Sequence, residues 1–516
     1  MNKSILEVLQ TNCKVDPGRC AVVADEVSYS YADFDTISNK IALGLESKGV
    51  RPGERIGIYM DKSIDAIASI YGILKLGCCY VPISTANPAP RTQYMLKNCA
   101  MRFVLVDAVP SAFFESTVSM LGVELIQVYH MVSAVDRDSA KFTARNVTAG
   151  DAAAILHTSG STGDPKGAVI THGNLTVFVS WALSAFDLKA DDRLLSHAPL
   201  QFDLSFFDLF AALAASAAVV LATPADTASA ARMRQLVNQS KITIWQSVPS
   251  ALTLQTFDRR SPSESMQTVR RVIFAGERMP RQTLLKLPEL FPRARIYNVY
   301  GCTETNDTFM YSVPANVVDA PDPLPIGEVL PHIDYRIVDD EGHDVEFGQK
   351  GHLLISGKTL MAGYLGDTDK NTIVDRYYRT NDLVSQQPDG QMYFHGRIDS
   401  VVKTNGYRVN LTEIEDYLRK SEKFEEVTLF CVADDFIGNR IIAVLRPKTG
   451  ISCSPLDLKI YCASGLPKYA IPHSFYITHD ALPRGGTGKI DKHRVADIWL
   501  QASKVESKRP LATNHL

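Results

Sequence analysis

The sequence predicts an α/β protein. It has a large N-terminal body of layered parallel-sheet subdomains, a small antiparallel β region, and a small, mobile α+β domain at the C-terminus. Three observations carry that expectation. Short apolar runs alternate with helix-length stretches over most of the chain, the pattern of strands joined by covering helices. After about Leu324 the runs become short, alternating and closely spaced by Gly and Asp turns. From Gly396 a helix, two strands, a helix and a strand follow in quick succession.

Each element has a local reason. Phe34, Ile37, Ile41 and Leu45 recur at helical spacing, and the turn Arg51-Pro52-Gly53 leads into an apolar run over 56–60. A second helix over 63–76 precedes the run 78–83. Buried strands are read at 103–106, 152–156, 217–222, 242–245, 272–274 and 296–299. The antiparallel region rests on 335–338 and 352–355, with turns at Gly342, Gly348 and Asp389-Gly390. The last module is read as helix 412–420, strands 427–432 and 441–445, a helix near 456–464 and a strand at 474–477. The expected organisation is a core over 1–398, a mobile lid domain over 399–500, and a Ser-, Lys- and Pro-rich flexible tail over 501–516.

Composition narrows the function. With 516 residues the chain holds about three folding units of ~100–200 residues. Lys and Arg number 54 against 57 Asp and Glu, a net charge of −3. That balance speaks against a nucleic-acid binder that works by neutralising phosphates, and against a polybasic membrane-surface protein. The nine cysteines are scattered, with no C-x-x-C pair and no zinc-ligand spacing. They read as reduced thiols of a cytoplasmic protein. The N-terminus lacks a signal-peptide core, and no apolar run approaches the ~18 residues of a membrane span.

The stretch that carries chemistry is Thr158-Ser159-Gly160-Ser161-Thr162-Gly163-Asp164-Pro165-Lys166-Gly167, directly after a strand. Glycines at 160, 163 and 167 let backbone N–H groups crowd around an anion, hydroxyls add donors, and Lys166 adds a positive charge. This is a phosphate-cradling loop, although the Walker pattern G-x-x-x-x-G-K-[ST] cannot be laid on it.

The loop closely resembles that of the adenylate-forming enzymes: acyl-CoA synthetases, luciferases and the adenylation domains of nonribosomal peptide synthetases. Other segments match in family order and span nearly the whole chain. They are L-K-L-G-C-C-Y-V-P-I-S at 74–84, N-V-Y-G-C-T-E-T at 298–305 and Y-R-T-N-D-L at 378–383. A hinge-like segment at 396–415 and L-P-R-G-G-T-G-K-I-D-K at 482–492 complete the set. The text is most similar to free-standing adenylation enzymes, amino acid:carrier protein ligases. Two positions depart from the family: Asn381 stands where glycine is usual, and Cys302 where proline is usual. Asn tolerates left-handed backbone, so the first should keep its site; the second could loosen its turn.

The resemblance implies a carboxylate attacking the α-phosphorus of ATP with release of pyrophosphate, aided by Mg2+. Both reactants are anions, so catalysis is positioning and charge stabilisation. By position, Thr158, Ser159, Gly160, Ser161, Thr162, Gly163 and Lys166 would hold phosphates, and Thr303 would line the nucleotide site. Glu304 would contact magnesium; alone, it would read as a helix cap. Asp382 and Arg397 would hold the ribose; Asn298, Tyr300 and Gly276 would line the adenine pocket. Lys489, on a loop with Gly485, Gly486 and Gly488, would bridge carboxylate and α-phosphate. Asp399 would be the hinge about which the lid turns, replacing Lys489 by Lys403 and Gly406 for attack by a phosphopantetheine thiol.

Asp203 sits in the apolar run F-D-L-S-F-F-D-L-F. A carboxylate there is costly to desolvate unless it meets a cation, which favours an amino acid over a fatty acid; the structural alternative is a helix N-cap. The rest of the pocket, carried over by position, is Leu204, Phe207, Gln246, Ile273, Ala275, Val299, Asp307 and Thr308, closed by Lys489. It suits a short polar or cationic side chain, with proline, alanine and β-amino acids open. No carrier domain follows Lys489, so the expected partner is a phosphopantetheinylated carrier protein in trans. A carboxylate–CoA ligase and an inactive nucleotide-binding scaffold are the alternatives.

Overall fold

The computed structural model describes residues 6–7, 11, 14–24, 26–108, 112–136, 140–158, 165–257, 265–366, 373–434, 436–484 and 490–506. They form two compact units that divide between Asp399 and Ser400.

The first unit is built on two large sheets. In one the strand order is Glu124–Gln127, Phe103–Val106, Arg55–Tyr59, Cys79–Pro82, Ala152–Thr158 and Lys166–Thr171. All neighbours are parallel except the last pair, a hairpin in which Thr158 lies opposite Lys166. In the other the order is Glu328–Val329, Asn306–Ser312, Arg295–Cys302, Arg271–Ala275, Ile244–Ser247, Arg193–Ser196, Ala218–Leu221, Cys20–Ala24 and Val27–Ser30. Its centre is parallel and its edges antiparallel. Runs apolar on both faces produce such doubly covered strands. Helix Ile64–Lys75, capped by Ser63, is buried along ten consecutive residues from Ala66. Its Lys75 is only 4% exposed, and Asp35, Ser38 and Asn39 accept from the ammonium at 2.6, 2.7 and 2.6 Å.

The alternation of strand Arg295–Cys302 sorts its side chains between two cores. Tyr297 and Val299 join Ile244, Ile273, Ala275 and Phe207 in one, while Ile296 joins Trp245, Val272 and Phe274 in the other. A small antiparallel sheet of Ile333–Val338, Gly351–Gly357, Ile373–Val374, Tyr377–Gln386 and Met392–Arg397 completes this unit.

The second unit holds the hairpin Val401–Thr404/Tyr407–Asn410, a sheet of Phe424–Asp434, Gly438–Pro447 and Ser474–Ile477, and helices Leu411–Arg419, Pro455–Gly465 and Lys492–Glu506. The last helix differs from the sequence expectation, which placed residues 501–506 in a tail. Helical periodicity through Val495 and Trp499, both packed on Phe430 and Ile442, carries the helix on to Glu506.

None of the eight described cysteines is paired with another. Among the described residues, no helix is long and apolar enough to cross a membrane.

Candidate active site

Glu304 is the deepest charged group of the site, fully buried in the turn between strands Arg295–Cys302 and Asn306–Ser312. No helix follows it, so the capping alternative falls. Its Oε1 accepts from the Thr158 hydroxyl at 3.3 Å and from the Tyr364 hydroxyl at 2.6 Å. The Lys166 ammonium lies 5.2 Å from the centre of the Tyr364 ring, a cation–π contact. Thr158 and Lys166 flank residues 159–164, so one flank meets Glu304 directly and the other through Tyr364. Residues 159–164, including Ser159, Gly160, Ser161, Thr162 and Gly163, lie outside the described residues, as does Lys489. Thr303 occupies the same turn as Glu304. Cys302 does not open it: Thr305 N–H donates to the Cys302 carbonyl at 2.9 Å and the two side chains meet at 3.2 Å.

A second cluster surrounds Asp382. Arg397 Nη1 donates to its Oδ1 at 2.5 Å, and the Tyr300 hydroxyl donates to its Oδ2. Burial and the Asp382 charge raise the Tyr300 phenol well above its ordinary value, so it remains a donor. Arg397 also clamps Asp399 through Nε and Nη2 at 2.7 Å each and donates to the Thr380 carbonyl at 3.0 Å. This fork is the geometry guanidinium favours with carboxylates. Asn381 takes φ +62°, the left-handed backbone that glycine would supply, and donates to Asp399 at 3.3 Å. Asn298 is held by the Pro325 carbonyl at 2.8 Å. Gly276, at φ +91°, ends strand Arg271–Ala275.

The third cluster lies on one face of the nine-stranded sheet. In register, Gln246 is beside Ile273, and Ala275 beside Val299. Phe207 packs into the same core, meeting Phe186 edge-on at 5.5 Å between ring centres. Leu204 begins the short helix that leads to Phe207. Asp203 stands at the N-cap position of that helix, yet its side chain makes no capping bond; the structural alternative is not realised. Burial and the nearby Asp203 charge push the Asp307 carboxyl up to about 8, so Asp307 is largely protonated at neutral pH. Thr308 is different. Its hydroxyl donates to the Tyr300 carbonyl at 3.0 Å, which ties it to backbone.

In the second unit, Lys403 lies on strand Val401–Thr404 and its carbonyl accepts from Asn439 at 2.7 Å. Gly406 makes the turn of that hairpin at φ +80°.

Sequence reasoning missed Tyr364, whose only signal was a tyrosine outside every motif. It also missed Asp208, a second carboxylate in the same apolar run as Asp203.

Two buried carboxylates thus anchor the site, Glu304 taking hydroxyl donors from Thr158 and Tyr364, and Asp382 clamped by Arg397 and Tyr300. The family described as AMP-binding enzyme matches residues 9–365, and the chain belongs to that family. It is 32% identical over 492 residues to an L-proline--[L-prolyl-carrier protein] ligase of Pseudomonas fluorescens, covering 93% of this chain and 96% of that one. A ligase of the same name from Streptomyces coelicolor is 33% identical over 486 residues, 90% of this chain and 91% of that one. The fold also matches an amide bond synthetase from Marinactinospora thermotolerans with TM-score 0.88 at 18% identity, over 96% of this chain and 100% of that one.

Proposed function

We propose that this protein activates an amino acid with ATP and passes it to a carrier protein. A substrate carboxylate oxygen attacks the α-phosphorus, the bond to the β-phosphate breaks, and pyrophosphate leaves. The thiol of a phosphopantetheine arm then attacks the aminoacyl carbonyl and AMP departs. The observation that carries the amino acid reading is Asp203: a carboxylate at a helix start that does not cap, beside an apolar pocket. There it accepts an α-ammonium. The names of the two ligase relatives support a carrier protein in trans as the acceptor.

Each residue has a role in this reading. The loop 158–163 and Lys166 cradle the phosphates, and Asp382 accepts the ribose hydroxyls. Tyr300, Asn298 and Gly276 border adenine, with Thr303 beside the phosphates. Lys489 bridges the attacking carboxylate and α-phosphate; Lys403 serves the thioester half-reaction after rotation at Asp399. Glu304 fits magnesium, a hard cation that commonly takes one carboxylate with substrate phosphates and waters. No cluster of three or more His, Cys, Asp or Glu that could cage a metal occurs among the described residues, which suits an ion carried in by ATP. Bound there, magnesium would offset phosphate charge. The pocket set Leu204, Phe207, Gln246, Ile273, Ala275, Val299, Asp307 and Thr308 selects the side chain. That none of the described cysteines forms a disulfide with another is in keeping with a cytoplasmic setting.

The test is ATP–pyrophosphate exchange across L-proline, L-alanine, L-serine, β-alanine and L-2,3-diaminopropionate, with hexanoate as an amine-free acid. Exchange that depends on an amino acid is expected. Faster exchange with hexanoate, or a coenzyme A thioester as the product, would overturn the reading.

A further inference from the structure

Asp208 is 1% exposed and lies in a π-turn, Phe207–Ala211, that follows directly on the segment bearing Asp203 and Leu204. Such turns insert an extra residue into a helix and need tertiary support. Neither Asp208 oxygen makes a hydrogen bond of ordinary geometry. Burial pushes its carboxyl up to about 7, while the Lys62 charge and the Ser196 hydroxyl pull the other way.

Lys62 precedes helix Ile64–Lys75 and donates to Ser196 Oγ at 2.7 Å. Burial lowers its ammonium to about 8 against the attraction of Asp208. Ser196 is fully buried at the end of its strand. Leu194 pairs with Ile244 and Leu195 with Trp245, so the next step of the register sets Ser196 beside Gln246. Gln246 is 4% exposed and its Oε1 lacks a partner. The π-turn also packs against strand Arg193–Ser196, which sets Asp208 on the same side as the Lys62–Ser196 contact, next to the pocket face.

We propose that Lys62, Ser196 and Asp208 form a positioning element that fixes the π-turn and so aims Asp203, Leu204 and Phe207 across Gln246. This rests on the reading of Asp203 as the ammonium acceptor. A buried carboxylate moved away from its counter-charge costs several kcal/mol. Turning the segment by one residue would drive Asp208 into the apolar surroundings of Phe206 and Phe210, so only one rotational setting keeps it near Lys62. None of the three groups touches substrate; they act through the helix.

The experiment is pyrophosphate exchange with the amino acid ranked first in the panel above, varying amino acid and ATP separately. Lys62→Met and Asp208→Asn should each raise the amino acid KM at least tenfold and leave the ATP KM within twofold. Lys62→Arg should keep the amino acid KM within threefold, and the double variant should be no worse than the poorer single. An amino acid KM within twofold for soluble Lys62→Met, or both KM values rising together, overturns the proposal. If Asp208→Asn does not fold, the Lys62 pair decides. Asp203→Asn separates the two ideas: if it leaves the amino acid KM unchanged, the pocket reading falls. If it raises the KM while the cluster variants do not, only the positioning role falls.

Discussion

Replacing Asp382 by Asn tests the nucleotide site with a magnitude set by its neighbours. The Asp382 side chain is 5% exposed and holds Arg397 at 2.5 Å and the Tyr300 hydroxyl. Arg397 keeps both contacts to Asp399 at 2.7 Å after the change, so no guanidinium is left uncompensated. Folding should lose one charge-assisted hydrogen bond, about 1.5–3 kcal/mol, and not the ~3–5 kcal/mol of an orphaned buried charge. The ribose loses more selectively. A carboxylate accepts from two hydroxyls, whereas an amide turns an NH2 toward one of them. Losing one charged acceptor costs about 1.5–3 kcal/mol, which weakens ATP about 10- to 150-fold at ~1.4 kcal/mol per decade. Equilibrium ATP titration, with a thermal melt on the same sample, measures both. A folded variant that binds ATP within twofold of wild type refutes the assignment. Arg397→Met should rank differently: it strips a partner from both Asp382 and Asp399, so its loss should appear first in the melt.

Asp307→Asn should change the pH dependence of stability. The folded-state pKa of about 8 lies above the model-peptide value of 3.8. Its stabilisation is therefore full below about pH 4 and lost as pH rises through 8. The variant should melt closer to its pH 5 value at pH 8.5 than wild type does; an unchanged pH slope contradicts the assignment. Lys489→Ala should cut adenylate formation at least a hundredfold with ATP affinity nearly intact, whereas Lys403→Ala should spare adenylation and slow thioester transfer; equal loss of both half-reactions in either variant argues against divided roles. Gly301→Ala should raise the KM of ATP and of the amino acid together, since a Cβ there would sit 2.0 Å from the Asn306 carbonyl oxygen. Separate effects on the two substrates would show that the hairpin is not shared.

Much of this was readable before the structure because the signals were local. The run 103–106 forms a strand over those same residues, and so does 474–477. The left-handed backbone at Asn381 was foreshadowed by the family's usual glycine there and by Asn's tolerance of that conformation. The strand read at 242–245 instead forms at Ile244–Ser247. Ile242 N–H closes back on the Val237 carbonyl after the preceding helix, a tertiary choice that hydrophobicity cannot encode. The pocket was legible as a set of positions but not as a geometry. Asp307 and Thr308 are adjacent, yet Asp307 is shifted by burial and then by Asp203, while Thr308 is spent on the Tyr300 carbonyl. Asp208 was visible by the same desolvation argument as Asp203, but its partner Lys62 lies far away in sequence and only folding brings the two together.

The residues proposed for the two substrates alternate along one strand, and the period of that strand explains how. Along Arg295–Cys302, Tyr297 and Val299 face the core that contains Phe207, whereas Asn298 and Tyr300 turn to Pro325 and Asp382. A slip of one residue would exchange the two sets, so the register must be held firmly. Two devices hold it. The register shifts between Tyr300 and Gly301, a β-bulge, and Gly301 then approaches the Asn306 backbone too closely for any side chain. Asn306 itself sits at φ +57°, which lets the turn carrying Glu304 close tightly. A single hairpin thus sets the spacing between the face that carries Val299, the Tyr300 contact to Asp382 and the buried Glu304. Reaction between two anions gains most from fixed placement, and a hairpin whose register is pinned at Gly301 supplies it.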